Sequence, residues 1–272
     1  MFEAAFLDSQ LDDGDVIVAT GMEEFVDGFI WNRFRLINLD DGGGPKRRKR
    51  VMRWLRRLGR ISARLRLVGS IKQKKRGFFA GGKLYELAGE EILRRAGLSN
   101  RLRYIDKGYF QDAIHASYAS FRLKDEHLVA ARDFLNALPP GKKAFVHIRR
   151  GDYRDWTIFG RSPMLGIDYF RRGIEIIREA APGAQFILVS DEPGEIDIPA
   201  LHVFRGANVY EDFGLMTLCD GGVVSNSTLS WWGGYFSHRT LPVVSPKGWL
   251  AHGLGFEYPV GITASWMTPI ET

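Results

Sequence analysis

His147-Ile148-Arg149-Arg150-Gly151-Asp152-Tyr153 follows a short apolar run, Ala144-Phe145-Val146, that reads as a buried strand. The arginine pair therefore stands at a strand's carboxyl end, turned by a glycine and followed by an acid. Guanidinium forks hold phosphate oxygens in bidentate geometry, and a nearby carboxylate can fix their orientation. Taken alone, the same residues also suit a surface Arg–Asp turn. Two further loops bear on the choice. Ser190-Asp191-Glu192-Pro193 follows the apolar run Phe186–Val189, and Ser225-Asn226-Ser227-Thr228 leads from another strand into a helix. Hydroxyls at a helix start, beside free backbone N–H groups and the positive end of the dipole, suit a phosphate. Each loop has a plainer reading: Ser227 and Thr228 as an N-cap, Asp191 as a turn residue, Trp231 and Trp232 as core. In an open parallel sheet, however, ligands bind beyond the carboxyl ends of the strands. An arginine pair and a hydroxyl-lined helix start on one rim point to a diphosphate, with Asp191 one strand away to read its base or sugar.

No metal is expected at that rim. The six histidines lie at 115, 127, 147, 202, 238 and 252, without ligand spacing. Asp13-Gly14-Asp15 is an acid–x–acid triplet, but it precedes a strand rather than following one. Neither GxxxxGK[ST] nor GxGxxG occurs, which disfavours a P-loop ATPase or a dinucleotide enzyme.

The rim needs a scaffold, and the chain beyond residue 141 supplies its pattern. Strands are expected at 144–148, 185–189, 201–204, 222–225 and 241–244. Between them, Asp168 is placed to cap a helix carrying Phe170, Ile174 and Ile177, closed by Pro182-Gly183. Asn208 with Glu211 opens another, carrying Val209, Phe213 and Met216, and Thr228–Phe236 forms a third. Alternating strands and helices predict a parallel sheet covered on both faces. Upstream, residues 77–138 read as mainly helical, with Leu84, Leu87, Ile92 and Leu93 in one piece. Leu128, Phe134, Leu135 and Leu138 form another, ending at Pro139-Pro140-Gly141. The division expected is 1–140, an N-terminal acceptor-side lobe, and 141–272, a nucleotide-sugar lobe with the C-terminal segment.

The 272 residues are 45% hydrophobic and 26% charged, enough for one large or two small domains with a proper core. No apolar run approaches the ~18 residues of a spanning helix, and the start lacks a signal peptide's basic flank. One cysteine, Cys219, cannot form an internal disulfide and reads as core, so a reducing cytoplasm is the expected compartment. Net charge is +6, yet Lys46 to Arg76 holds fifteen Lys/Arg and no acid, leaving the remainder nine negative. Gly42-Gly43-Gly44-Pro45 precedes this run. Within it Val51, Trp54, Leu55, Leu58 and Ile61 recur at helical spacing, giving a basic amphipathic helix. Such a helix suits peripheral contact with an anionic membrane on its inner face, or a solvated connector. No aromatic stacking series accompanies the charge, so nucleic acid is not an expected partner.

Together these loops resemble the α-1,2-fucosyltransferases of glycosyltransferase family 11. The likeness rests on His147–Tyr153 and on Asp212-Phe-Gly-Leu-Met-Thr-Leu-Cys-Asp220 running into Ser225-Asn-Ser-Thr-Leu-Ser-Trp-Trp232. Gly108-Tyr-Phe-Gln111 and Ser245-Pro-Lys-Gly-Trp249 add to it. It covers about residues 77 to 270. The resemblance implies a GT-B-like fold, with two Rossmann-like lobes and a parallel-sheet C-terminal donor lobe. It implies inverting, metal-independent transfer from GDP-β-L-fucose to a galactoside or lipid-linked glycan, with no cofactor. Carried over, Arg149 contacts the donor's β-phosphate with Arg150 in support, and His147 and Asp152 shape the same loop. Arg149, His147 and Asp152 are thus the catalytic candidates. Asp212 reads the guanine edge, and Ser227 and Thr228 donate to the diphosphate, alongside Ser225, Asn226 and Asp191. The family's first strand leads into a Gly-Gly-Leu-Gly-Asn-Gln loop that does not occur here, and the first 76 residues match poorly. The N-terminal lobe is expected to be atypical or truncated.

Overall fold

A computed structural model describes residues 1–19, 22–39, 46–80, 83–95, 98, 102–105 and 119–272. The Gly108–Gln111 motif lies outside the described residues. The chain divides into two compact units, Met1–Phe79 with Leu84–Arg122, and Ala80–Lys83 with Leu123–Thr272.

In the first unit, α1 (Phe2–Gln10) buries Ala4, Ala5, Phe6 and Leu7. Then come β1 (Val16–Ala19), α2 (Glu23–Gly28), β2 (Phe29–Trp31) and β3 (Arg35–Asn38). The basic run opens as α3 (Lys46–Arg64), followed by β4 (Gly69–Ala80), β5 (Lys83–Arg95) and β6 (Leu102–Ile105). The five-stranded sheet runs β3-β1-β6-β4-β5, with β1 parallel to β3 and β6, and β4 parallel to β6. Phe25 and Phe29 pack against Phe121, which opens the short β7 (Phe121–Leu123), and Trp31 meets Phe25 edge-on.

The helical reading of 77–138 is corrected here. Residues 69–80 and 83–95 are strands. Leu84, Leu87, Ile92 and Leu93 fit a helical period, but pairing within a sheet overrides so short a pattern. Gly81-Gly82, a hairpin-type dipeptide between the two strands, was the overlooked local signal.

The second unit continues with α4 (Val129–Ala137), β8 (Lys143–Ile148), α5 (Ile167–Ala180), β9 (Gln185–Ser190) and β10 (Leu201–Phe204). It closes with α6 (Val209–Leu218), β11 (Gly221–Val223), α7 (Thr228–Phe236), β12 (Val243–Pro246) and β13 (Met267–Ile270). Six strands form one parallel sheet in the order β10-β9-β8-β11-β12-β13. Numbered within the unit, that order is 3-2-1-4-5-6, a doubly wound sheet whose chain direction reverses between β8 and β11.

Continuous burial of Ala144–Ile148 and Phe186–Ser190 follows from that position, since central parallel strands are covered on both faces. One face packs Val146, Ile148, Phe186, Leu188 and Val223 under Tyr169, Phe170, Ile174 and Ile177 of α5. Gly222 allows β11 to lie close to β8, because a Cβ there would meet the Phe145 carbonyl oxygen at 2.4 Å. Trp231 and Trp232 are buried, and Trp231 Nε1 donates to the Ile262 carbonyl at 2.7 Å. Cys219 is likewise core, its thiol pushed up by burial.

Two local expectations shift and one holds. The N-cap of α5 is Gly166, two residues before Asp168, which lies inside the first turn and pairs with Arg171 at 3.3 Å. At α6, Asn208 Oδ1 accepts from Tyr210 N and Glu211 N, as its position predicts. β13 was not foreseen; Pro269 within it is tolerated because the strand lies at the sheet edge.

Candidate functional site

β8 and β11, side by side at the reversal point, deliver the arginine loop and the Ser225–Thr228 loop to the same rim. They are fastened by His147, which is buried and whose Nδ1 lies 2.7 Å from Ser225 Oγ. Ser230 Oγ donates to the Ser225 carbonyl at 3.1 Å. Burial, then the Arg149 charge, pushes the His147 imidazole down to about 3, so it is neutral at physiological pH. A group so placed holds geometry rather than taking protons from a substrate.

β9 supplies the second fastening. Ser190 Oγ donates to the Ile148 carbonyl at 2.8 Å and accepts from Glu192 N at 3.2 Å. Asp191 then turns back over the arginine loop. Its Oδ1 accepts from Arg150 N at 3.0 Å, and its Oδ2 lies 3.2 Å from Arg149 Nη1. Asp152 takes the other edge of the same guanidinium, with Oδ1 at 2.9 Å from Nε and 2.8 Å from Nη2. Arg149 is thus bracketed by two carboxylates, with 35% of its side chain open to solvent. Gly151 leaves room for this closeness: a Cβ there would lie 2.5 Å from Asp191 Oδ2 and would displace that carboxylate.

The remaining predicted residues divide. Arg150 Nε is buried and has no hydrogen-bond partner among the described residues. Asn226 is buried and spends its amide on the Pro163 carbonyl at 2.7 Å. Ser227 is the N-cap of α7, its side chain making no capping bond, and Thr228 beside it is exposed. The hydroxyl-lined helix start therefore exists, with its dipole at the rim of β11. Asp212 sits elsewhere, in the first turn of α6 after the edge strand β10, where Oδ1 accepts from Gly206 N at 2.8 Å. Burial raises its carboxyl above the usual range.

Tyr153 was quoted in the motif but given no task. Its hydroxyl donates to the Asn226 carbonyl at 3.0 Å, and burial pushes it up to about 12. It locks the end of the arginine loop to the Ser225–Thr228 loop. Arg154 pairs with Glu192, at 2.9 Å from Nε, and so ties the same loop to the one after β9. Tyr two residues past the Arg-Gly turn, and an acid beside Asp191, were the available signals. Asp13, of the Asp13-Gly14-Asp15 triplet, pairs with Arg33 Nε at 2.6 Å. Among the described residues no group of three or more His, Cys, Asp or Glu is gathered to hold a cation.

An open parallel sheet with charged loops collected at its reversal point defines a Rossmann-like α/β protein. Residues 81–253 match the sequence model of glycosyl transferase family 11, and the chain belongs to that family. It is 32% identical over 119 residues to the O-antigen biosynthesis glycosyltransferase WbnK of Escherichia coli, covering 39% of this chain. The chain spans 38% of the length of that relative. No solved structure matches.

Proposed function

We propose that the chain transfers L-fucose, with inversion and without a metal, from GDP-β-L-fucose to the 2-hydroxyl of a terminal galactoside. The setting is surface-glycan synthesis in the cytoplasm, on a GT-B-like pair of lobes. The observation that carries the reading is Arg149, held at the reversal point between Asp152 and Asp191. As the glycosidic bond to GDP breaks, negative charge grows on the β-phosphate. A preorganised guanidinium, supported by Arg150 and the α7 N-terminus with Ser227 and Thr228, stabilises that charge without rearrangement at the moment of reaction. Two carboxylates keep Arg149 oriented before the donor arrives, and the diphosphate takes the place of one.

Asp152 is the exposed acid of the pair, 64% open, and is the candidate to accept the acceptor hydroxyl's proton as its oxygen bonds to the anomeric carbon. His147, Ser225 and Asn226 act behind it as positioning residues. Asp212 is assigned to the guanine edge, where a carboxylate accepts from adjacent N–H donors. The relative's role in O-antigen biosynthesis supports a surface glycan as the acceptor's destination. Such glycans can be carried on lipid, which would draw the enzyme to a membrane.

Two tests separate the readings. Calorimetry with GDP, UDP and ADP should show a clear preference for GDP; preference for another nucleotide means a different donor. Turnover of GDP-fucose with lactose, unaffected by EDTA, is the expected activity. Nucleotide binding without turnover of any donor would make the chain an inactive nucleotide-binding remnant.

A further inference from the structure

The amphipathic helix α3 does not use all its apolar residues to fold. Met52, Leu55, Gly59 and Ala63 are half-buried on the face that packs toward β6, together with Arg56, whose Nε donates to the Leu39 carbonyl at 2.9 Å. Leu55, grouped from the sequence with the apolar stripe, belongs to this packed face. Val51, Trp54, Leu58, Ile61 and Leu65 form a separate row and are all exposed, Trp54 by 60% and Leu65 by 65%. Their spacing of three and four residues aligns them along one side of the helix. Arg50, Arg53, Arg57, Arg60 and Arg64, each one residue earlier, form an exposed row about 100° away. The helix ends cleanly: Arg66 N bonds to the Ala63 carbonyl and Leu67 N to the Ser62 carbonyl, with Arg66 left-handed at φ 57°.

From this arrangement we infer that α3 is a docking surface for an anionic phospholipid bilayer, lying flat with the Val51–Leu65 row in the acyl boundary. An exposed apolar row rimmed by arginines, with a tryptophan in it, is the pattern of an interfacial helix. Charge selects the occupant. The whole segment from Lys46 to Arg76 has fifteen cations and no acid. Pairing two copies along the same row would set arginine rows against each other, whereas an anionic leaflet complements them. No described helix is long and apolar enough to cross the membrane, so the contact is peripheral.

The test is co-sedimentation of the full chain with vesicles of phosphatidylcholine alone, or mixed with phosphatidylglycerol, at low and high salt. It needs neither donor nor acceptor, so its outcome is independent of the transfer assays. Binding is expected with the anionic vesicles only, and weakened by salt. Each arginine at the leaflet is worth roughly five-fold in partitioning, so Arg53→Glu/Arg57→Glu/Arg60→Glu should lose more than about 100-fold. Trp54→Ser/Ile61→Ser, which keeps the charge, should lose on the order of 10-fold or more. Both variants alter exposed positions, and unchanged circular dichroism confirms folding. Absence of binding, equal binding to neutral vesicles, or variants that bind like the parent each overturn the inference. A concentration-dependent dimer abolished by Trp54→Ser/Ile61→Ser would assign the row to a second copy instead.

Discussion

His147 sets a pH limit on the fold that can be worked out from its surroundings. In the unfolded chain an imidazole takes up a proton near pH 6.5. In the folded protein His147 is buried between β8 and β11, close to the Arg149 charge, and is pushed down to about 3. Between those two values the unfolded state binds a proton that the native state refuses. Stability contributed by the neutral imidazole is therefore complete above pH 6.5 and declines as pH falls toward 3. Each pH unit within the window costs about 1.4 kcal/mol, so acidifying from pH 7 to pH 4.5 should remove roughly 2–3 kcal/mol. His147→Asn keeps a short polar group facing Ser225 but does not titrate. Urea unfolding of both proteins at several pH values isolates this one site, because carboxylates elsewhere titrate alike in parent and variant. The parent should be the more stable at pH 7, and its advantage should shrink by roughly 2–3 kcal/mol by pH 4.5. A stability difference that stays constant with pH would refute a buried neutral histidine at this position.

Arg149→Ala removes the guanidinium from the leaving group and should lower kcat by ~10²–10³, by analogy with deleted oxyanion donors, whereas Arg149→Lys should restore little because a point charge cannot span two partners. Near-normal turnover by a folded alanine variant would remove Arg149 from the transition state. Gly151→Ala places a methyl on Asp191 Oδ2, a flexible side-chain end, so thermal stability should hold while displacement of Asp191 lowers kcat by up to about 10²-fold. Turnover unchanged by that variant would make the Asp191–Arg149 pair dispensable. Asp212→Asn should weaken GDP binding by about 1.5–3 kcal/mol, the range for a hydrogen bond to a charged group. A variant that binds GDP normally but melts earlier would confine Asp212 to holding Gly206.

Much of the second unit was legible in residue order because its signals are local. The apolar runs 144–148 and 185–189, the Asn208 cap and the breaker at Pro182-Gly183 each act within a few residues, and the strands and helices formed where they point. The loops that carry chemistry were equally readable, since charged residues at strand ends need no partner to be noticed. What the residues do there was decided by sheet order. Asp191 lies 42 residues from Arg149, and Ser225 lies 78 from His147, yet the order β9-β8-β11 sets each pair within bonding distance. That contact makes Asp191 a support for Arg149, and it leaves His147 neutral and buried. The same limit governed the first unit. Leu84, Leu87, Ile92 and Leu93 keep a helical period but belong to a strand, because ladder pairing with the preceding strand β4 outweighs a weak local preference. In α3 the helix itself was evident from spacing, whereas only the packed structure separates the apolar residues that fold it from those it leaves exposed. Periodicity states which residues share a side, and the neighbouring elements determine whether that side is covered.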